Sequence, residues 1–196
     1  MDSLPIKRAI LSVTDKTGLL DFARFLAGNG VQLVSTGGTC KAIADAGIKV
    51  TQVSEVTGFP EIMGGRVKTL HPKIHGGILA DKDTPEHLEA LEKHGIAPFD
   101  LVCVNLYNFA EAAKKGLDIR SAVEEIDIGG PCMLRAAAKN FHSIAVVPGV
   151  AWYAPLMEEL GANAMCLGLE TRQALSAATF AATSAYDAMI AKYLDR

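Results

Sequence analysis

Ser12, Thr14, Lys16 and Thr17 stand in the run SVTDKTG, and Thr36, Gly38 and Thr39 stand in STGGT. Both runs offer hydroxyls and backbone N–H groups ahead of a helix, and the first adds an ammonium group. A phosphate needs these groups, and glycine lets the backbone approach it closely. Neither run has the spacing of a Walker A loop. Two ordinary capped turns would carry the same residues, but their occurrence in tandem favours an anion site. A third run, GGRVKTLHPKIHGG over 64–77, packs four glycines, two lysines, an arginine and two histidines into fourteen positions. It has neither a strand nor a helix period, and Pro72 is expected to interrupt any helix starting there. His71 and His75 raise the question of a metal. The pair lacks the glutamate of H-E-x-x-H, and with Pro72 taken as a breaker no helix would align it, so no metal is expected. His71 is expected to order the loop or touch ligand, and His75 to pack. Asn105 and Tyr107 close an apolar strand, Asp127 precedes a helix start, and Lys139 ends that helix. An acid and a cation at those helix ends are favoured by the dipole alone, so local physics assigns neither a chemical role.

These residues need elements to hold them, and the chain reads as repeated strand–loop–helix units. RAILSV, VQLVS and KVTQV are expected strands; LLDFARFLAGNG and CKAIADAG are expected helices ending at glycines. Further on, Thr84 and Pro85 open a helix in PEHLEALEKHG. FDLVCVNLYNF is expected to be the central strand, followed by helices in IRSAVEEI and CMLRAAAKN, the latter with Pro131 at its first position. SIAVV is the last strand. TRQALSAATFAATSAYDAMIAKYLDR closes the chain as one helix over about 171–194. The pattern predicts an α/β fold: a single doubly wound domain, residues 1–196, with a mostly parallel sheet and helices on both faces. In such sheets ligands bind beyond the carboxyl ends of the strands, where all the runs above would gather.

Composition narrows the partners. The chain has 196 residues, 49% hydrophobic and 21% charged, enough for one well-filled core. A net charge of -3 argues against a nucleic-acid surface or an anionic membrane, so basic clusters should be local and serve a small anion. Cys40, Cys103, Cys132 and Cys166 are scattered without a C-x-x-C pair, which suits a reducing compartment. No apolar run is long enough for a signal peptide or a membrane span. A cytoplasmic protein is expected.

SVTDKTG, STGGT, GGRVKTLHPKIHGGIL, NLY, IDIGG and LRAAAKN, in this order and spacing, resemble the IMP cyclohydrolase domain. In that family the domain is the amino-terminal part of a bifunctional purine-biosynthesis enzyme whose second half is the aminoimidazole-carboxamide ribotide transformylase. The resemblance runs from about residue 8 through the last helix and implies a methylglyoxal-synthase-like fold. It implies ring closure and dehydration of 5-formamidoimidazole-4-carboxamide ribotide to IMP, with no cofactor. It further implies that the first two loops hold the 5′-phosphate and that Arg66, Lys68 and Thr69 line the base end. By the same resemblance Lys68 pairs with Tyr107, and the N–H groups about Asp127, Ile128 and Gly129 serve as an oxyanion hole. Asp127 and Lys139 would form a proton-shuttling pair. A homodimer is implied, and a transformylase as a separate chain or missing domain, because the chain stops where that half would begin. Two positions depart from the family pattern: Thr14 where serine is frequent, and Asn108 where NLYNF usually carries proline, which loosens the loop after Tyr107. A methylglyoxal-synthase-like lyase would need its own aspartates and histidine in place of GGRVKTLHP and AAAKN. A nucleotide-binding regulatory domain would not need Lys68 and Lys139 beside Asp127.

Overall fold

Apolar, largely β-branched runs build the sheet, and the helices between them cover it. The computed structural model describes residues 1–106, 109 and 116–195. In chain order the strands are β1 (Ser3–Pro5), β2 (Arg8–Ser12), β3 (Gln32–Ser35), β4 (Thr51–Gln52), β5 (Leu101–Val104), β6 (Ala145–Val147) and β7 (Cys166–Gly168). The helices are α1 (Leu19–Gly28), α2 (Gly37–Asp45), α3 (Val53–Thr57), α4 (Pro72–Leu79), α5 (Pro85–Lys93), α6 (Ile119–Val123), α7 (Gly129–Lys139), α8 (Tyr153–Ala162) and α9 (Leu169–Leu194). Five strands pair in the order β4-β3-β2-β5-β6, all parallel, while β1 and β7 form a separate antiparallel pair. Helix α1 packs beside α2 and α8, and α7 packs between α4 and α9. The fold is α/β and doubly wound.

Strand order places the functional end. From β2 the chain builds outward through β3 to β4, then returns to lay β5 on the opposite side of β2. Neighbouring strands therefore diverge at the β2–β5 boundary, where Ser12 lies opposite Val104. A crevice opens beyond the carboxyl ends at such a switch point. Behind it the strand residues are fully buried: Ile10, Leu11, Val102, Cys103 and Val146 have no exposed surface, nor have Phe22 of α1 and Leu134 of α7. Phe22 stacks on Tyr153 with ring centroids 4.6 Å apart, closing the layer of α1 and α8.

Several expectations need correcting. The central strand is β2, and β5 lies beside it; β5 is also shorter than FDLVCVNLYNF suggests. KVTQV yields only the two residues of β4 before the chain turns into α3, whose start is closed by Glu55 accepting from the Gln52 N–H at 2.9 Å. Pro72 does not interrupt a helix but begins one. It sits at the first position of α4, where its missing N–H costs nothing, and His71 caps that helix by accepting the Lys73 N–H at Nδ1. Pro131 likewise falls two residues inside α7, which starts at Gly129. Strands β1 and β7 and helix α8 carry no strong local signal, and the sequence reading leaves them out.

Helix α9 is held by polar groups on its buried stripe. Arg172 is fully buried, and its guanidinium donates to five carbonyls: Gly168, Phe141, His142, Met1 and Asp2. Ser176 donates to Ala138 O at 2.7 Å, and Tyr186 and Tyr193 join Phe109 and Ala122 in a small second core. Among the described residues no helix is long and apolar enough to cross a membrane.

Candidate active site

A cleft of about 880 Å³ opens at the β2–β5 switch point, a volume suited to a nucleotide-sized ligand. Its walls include Ser12, Thr14, Lys16, Thr36, Gly38, Thr39, Arg66, Lys68, Thr69, Asn105, Asp127, Ile128 and Gly129. The structure thus brings together residues from five separate stretches of chain. Thr17 is outside the lining; its N–H donates to Asp15 Oδ1 at 2.9 Å, which shapes the loop and holds the Asp15 carboxylate below its usual range. Tyr107, and Asn108 after it, lie outside the described residues.

The first two loops form one surface. Ser12 Oγ and Thr36 Oγ1 are 2.8 Å apart and tie β2 to the start of α2. Thr39 is spent as a clasp: its hydroxyl accepts from Val13 N–H at 3.0 Å and donates to Val13 O at 2.9 Å. Asn105 is spent in the same way. Its Oδ1 accepts from the N–H groups of Thr14 and Asp15, and its Nδ2 donates to Asp15 O at 2.8 Å. Both side chains thus fix the loop that follows β2. What remains open to an anion is the exposed Thr14 hydroxyl, the exposed Lys16 and the first turn of α2. There Gly37 and Gly38 precede the first N–H bonded back to Thr36 O, so their N–H groups have no partner within the helix.

The glycine-rich run makes the opposite wall. Ile62 and Val67 bridge antiparallel, and the turn between them carries Met63, Gly64 and Gly65 at positive φ. This hairpin aims Arg66 and Lys68 at the cleft. Arg66 pairs with Glu124 at the end of α6, with Nε to Oε2 at 3.2 Å. Both partners are largely exposed, so the pair contributes little to stability and exchanges readily for a bound ligand. Thr69 is buried against the start of α7: a Cβ added at Gly129 would meet its Oγ1 at 2.6 Å.

Asp127 stands at the mouth of α7. Its Oδ1 accepts the Gly130 N–H at 2.9 Å, and its own N–H donates to Tyr186 Oη of α9 at 2.8 Å. Burial pushes its carboxyl above the usual range, against the lowering effects of the Gly130 bond and the Lys68 charge. The backbone donors of this turn can be accounted for one by one. Gly130 is taken by Asp127, Pro131 has none, and the first intrahelical bond of the helix comes from Cys132 to Ile128 O. Among the described residues the N–H groups of Ile128 and Gly129 are left without a partner, side by side, and both residues line the cleft.

Lys139 does not join them. It is exposed at the last residue of α7, ten residues beyond Gly129, which at 1.5 Å per residue is about 15 Å along the helix. Within the chain the expected Asp127–Lys139 pair is not formed. The cation whose field Asp127 feels is Lys68. Neither histidine of HPKIH reaches the cleft lining. His71 is engaged as a cap and His75 is packed, its basicity lowered by burial. Among the described residues no three His, Cys, Asp or Glu side chains gather to hold a metal. Sequence reasoning missed Glu61, Glu124 and Tyr186, which set the two cations and the Asp127 backbone.

The chain is similar to known proteins along nearly its whole length. The family model of the MGS-like domain matches residues 18–132, and that of the AICARFT/IMPCHase bienzyme matches residues 137–196. The bifunctional purine biosynthesis protein PurH of Bradyrhizobium diazoefficiens is 54% identical over 191 residues, covering 97% of this chain. PurH of Mesorhizobium japonicum is 56% identical over 189 residues, covering 96%. The chain spans only 36% and 35% of those proteins, about a third of their length. The crystal structure of ForH superimposes with a TM-score of 0.88 at 36% identity, covering 96% of this chain and 97% of that one. With strand order, site position and these similarities in agreement, the chain belongs to the MGS-like domain family.

Proposed function

We propose that this chain is an IMP cyclohydrolase, acting in purine biosynthesis on 5-formamidoimidazole-4-carboxamide ribotide. The observation that carries the reading is the joining, in one cleft, of an anion cradle on α2 with a raised carboxyl and two open N–H groups at α7. The first suits the 5′-phosphate of a ribotide; the second suits an acyl-type addition at the other end. Its likeness to PurH along nearly the whole chain supports the same substrate.

In this reaction the carboxamide nitrogen attacks the formyl carbon of the neighbouring substituent. A C–N bond forms, the nitrogen loses a proton, and the carbonyl oxygen becomes an oxyanion. Two protonations of that oxygen, matched by loss of the formamide nitrogen's own proton, let its C–O bond break to release water as a C=N bond forms, which completes the pyrimidine ring of IMP. Both reacting groups share one imidazole, so the protein selects a conformer and does not have to gather two molecules. Asp127 accepts the proton from the amide nitrogen. Its burial makes it a stronger base than an ordinary aspartate, which suits that task. The N–H groups of Ile128 and Gly129 receive the developing oxyanion at a helix start, where the dipole adds to their effect. Lys68 supplies positive charge beside the adduct, and Arg66 exchanges Glu124 for the base edge. The assembly we expect is a homodimer, with the transformylase supplied by another chain or domain.

The test is to add the formylated ribotide to purified protein, with a chelator and without folate, and follow IMP by absorbance. Turnover under those conditions is expected. Tight nucleotide binding without turnover would make the chain a regulatory module, and activity restored only by a divalent ion would reinstate a metal at HPKIH.

The cradle makes its own prediction. Lys16→Ala should raise KM strongly and leave kcat within a few-fold, because the phosphate is held equally in ground and transition states. Among the described residues the Lys16 side chain makes one hydrogen bond, a 3.4 Å contact to Thr14 O, so little folded structure depends on it. Steady-state kinetics decide the matter: a collapse of kcat at unchanged KM would move Lys16 from the cradle into the chemistry.

A further inference from the structure

Lys68 lies in the field of one carboxylate and in contact with another. Its Nζ is 3.2 Å from Glu61 Oε2, and among the described residues its ion pair is with Glu61 and not with Asp127. The ammonium is lodged between two glycines. A Cβ at Gly37 would approach it to 3.7 Å; one at Gly65, where φ is +95°, would come within 3.4 Å of it and 2.6 Å of Glu61 Oε1. The missing side chain at Gly65 thus leaves the room that the Lys68–Glu61 pair occupies. The pair also lies on the boundary between two spaces. Lys68, Thr36 and Gly37 line the main cleft and also a smaller annex of about 260 Å³, whose far wall includes Glu61, Phe59 and Gln52. Glu61 pulls Lys68 toward the annex, away from Asp127.

We propose that Glu61 is a positioning residue that holds the Lys68 ammonium apart from the Asp127 carboxylate. The proposal rests on the cyclohydrolase reading, in which Asp127 must take a proton. An ammonium in direct contact would favour the charged carboxylate and weaken it as a base. At the distance Glu61 imposes, Lys68 still stabilises negative charge in the cleft without quenching Asp127. Stability alone is a poor account of the pair, because Lys68 is 29% and Glu61 46% exposed, and ion pairs at that exposure contribute little. Among the described residues the other polar groups at Asp127 are already committed. Gly130 N–H binds its carboxylate, Tyr186 Oη takes its backbone N–H, and Arg66 is engaged with Glu124. Among the described residues, Lys68 is therefore the cation that can move onto Asp127 once Glu61 is neutralised.

The test uses Glu61→Gln, Glu61→Asp, Lys68→Met and the Glu61→Gln/Lys68→Met double variant, with two readouts. One is the 13C NMR titration of the Asp127 carboxyl in the free protein; the other is the pH profile of turnover. In Glu61→Gln the Asp127 midpoint should move down by about one pH unit, as expected for a cation arriving in contact. The acid limb of the profile should follow it, with kcat down by about tenfold and KM within about threefold. Glu61→Asp, which keeps the charge, should restore the wild-type midpoint. In the Lys68→Met background Glu61→Gln should shift nothing, because Glu61 acts only through Lys68. An unchanged or raised midpoint in Glu61→Gln overturns the proposal, and so does a downward shift that persists without Lys68. If the wild-type protein forms no IMP, the cyclohydrolase reading fails by itself, and the NMR arm still decides whether Glu61 governs Asp127.

Discussion

Asp127→Asn lowers kcat by about 10²–10⁴-fold, the range for loss of a positioned acid or base, while nucleotide binding persists. The substitution keeps the shape of the side chain and leaves an oxygen to accept the Gly130 N–H, so the turn before α7 and its open N–H groups stay in place. The cradle proposed for the phosphate, at the start of α2, makes no use of the Asp127 side chain and should be untouched. The pH dependence is the sharper diagnostic. Burial raises the Asp127 carboxyl, so its basic form is reached at higher pH than for an ordinary carboxylate, and activity should fall as pH drops through that raised value. In Asp127→Asn the acid limb should vanish along with the rate. The same shift carries a sign for stability. A carboxyl whose folded value lies above its unfolded one loses stability as pH rises from the unfolded value to the folded one, so removing its charge should stabilise the fold increasingly over that window, fully above it, and do little below the unfolded value. A variant with lower rate and an unchanged acid limb would show that another group sets the profile.

Gly130→Ala should cost about 10²-fold or more in kcat while the fold holds. A Cβ there would lie 2.1 Å from Asp127 Oδ2 and 2.9 Å from its Cγ, so the carboxylate must leave its place. Gly130 is in a helix, where alanine is better than glycine by about 1 kcal/mol, so helix propensity pulls stability the other way. The expected result is a split: melting temperature nearly held, catalysis lost. Thermal denaturation measured beside kinetics checks it. A variant that keeps wild-type kcat would mean that Asp127 has no need of this position. One that fails to fold would mean that the clash is relieved through the helix and not through the side chain.

The strand–helix alternation was legible because buried parallel strands are nearly continuous apolar runs, and those runs bound the loops that bear polar groups. Ser12, Thr36 and Asp127 could be placed at one end of the sheet on that ground alone. Pairings across the cleft were not legible. Lys68 meets Glu61 only because the chain doubles back at Ile62 and Val67, a reversal with no periodic signature. Tyr186 looked like one more member of an alanine-rich helix, and nothing local connects it to Asp127. The loop-fixing bonds of Thr39 and Asn105 were not legible either, since residue type alone does not tell which backbone groups a polar side chain will meet. The pairing of Asp127 with Lys139 was suggested by resemblance, yet the helix between them already forbade contact within the chain. Pro72 is the converse: a helix breaker by composition is a helix starter when the residue before it can cap.

The hydrogen bond from Asp127 N–H to Tyr186 Oη spans 59 positions of the chain. Every strand of the five-stranded sheet, and the whole of α2, precedes α9 in synthesis order. A growing chain can therefore pair its strands and shape a phosphate cradle well before the tether for its acid exists. Anion binding and ring closure should be acquired at different chain lengths during synthesis. Competence for chemistry would arrive last, when the final helix docks and its tyrosine takes hold of the α7 turn.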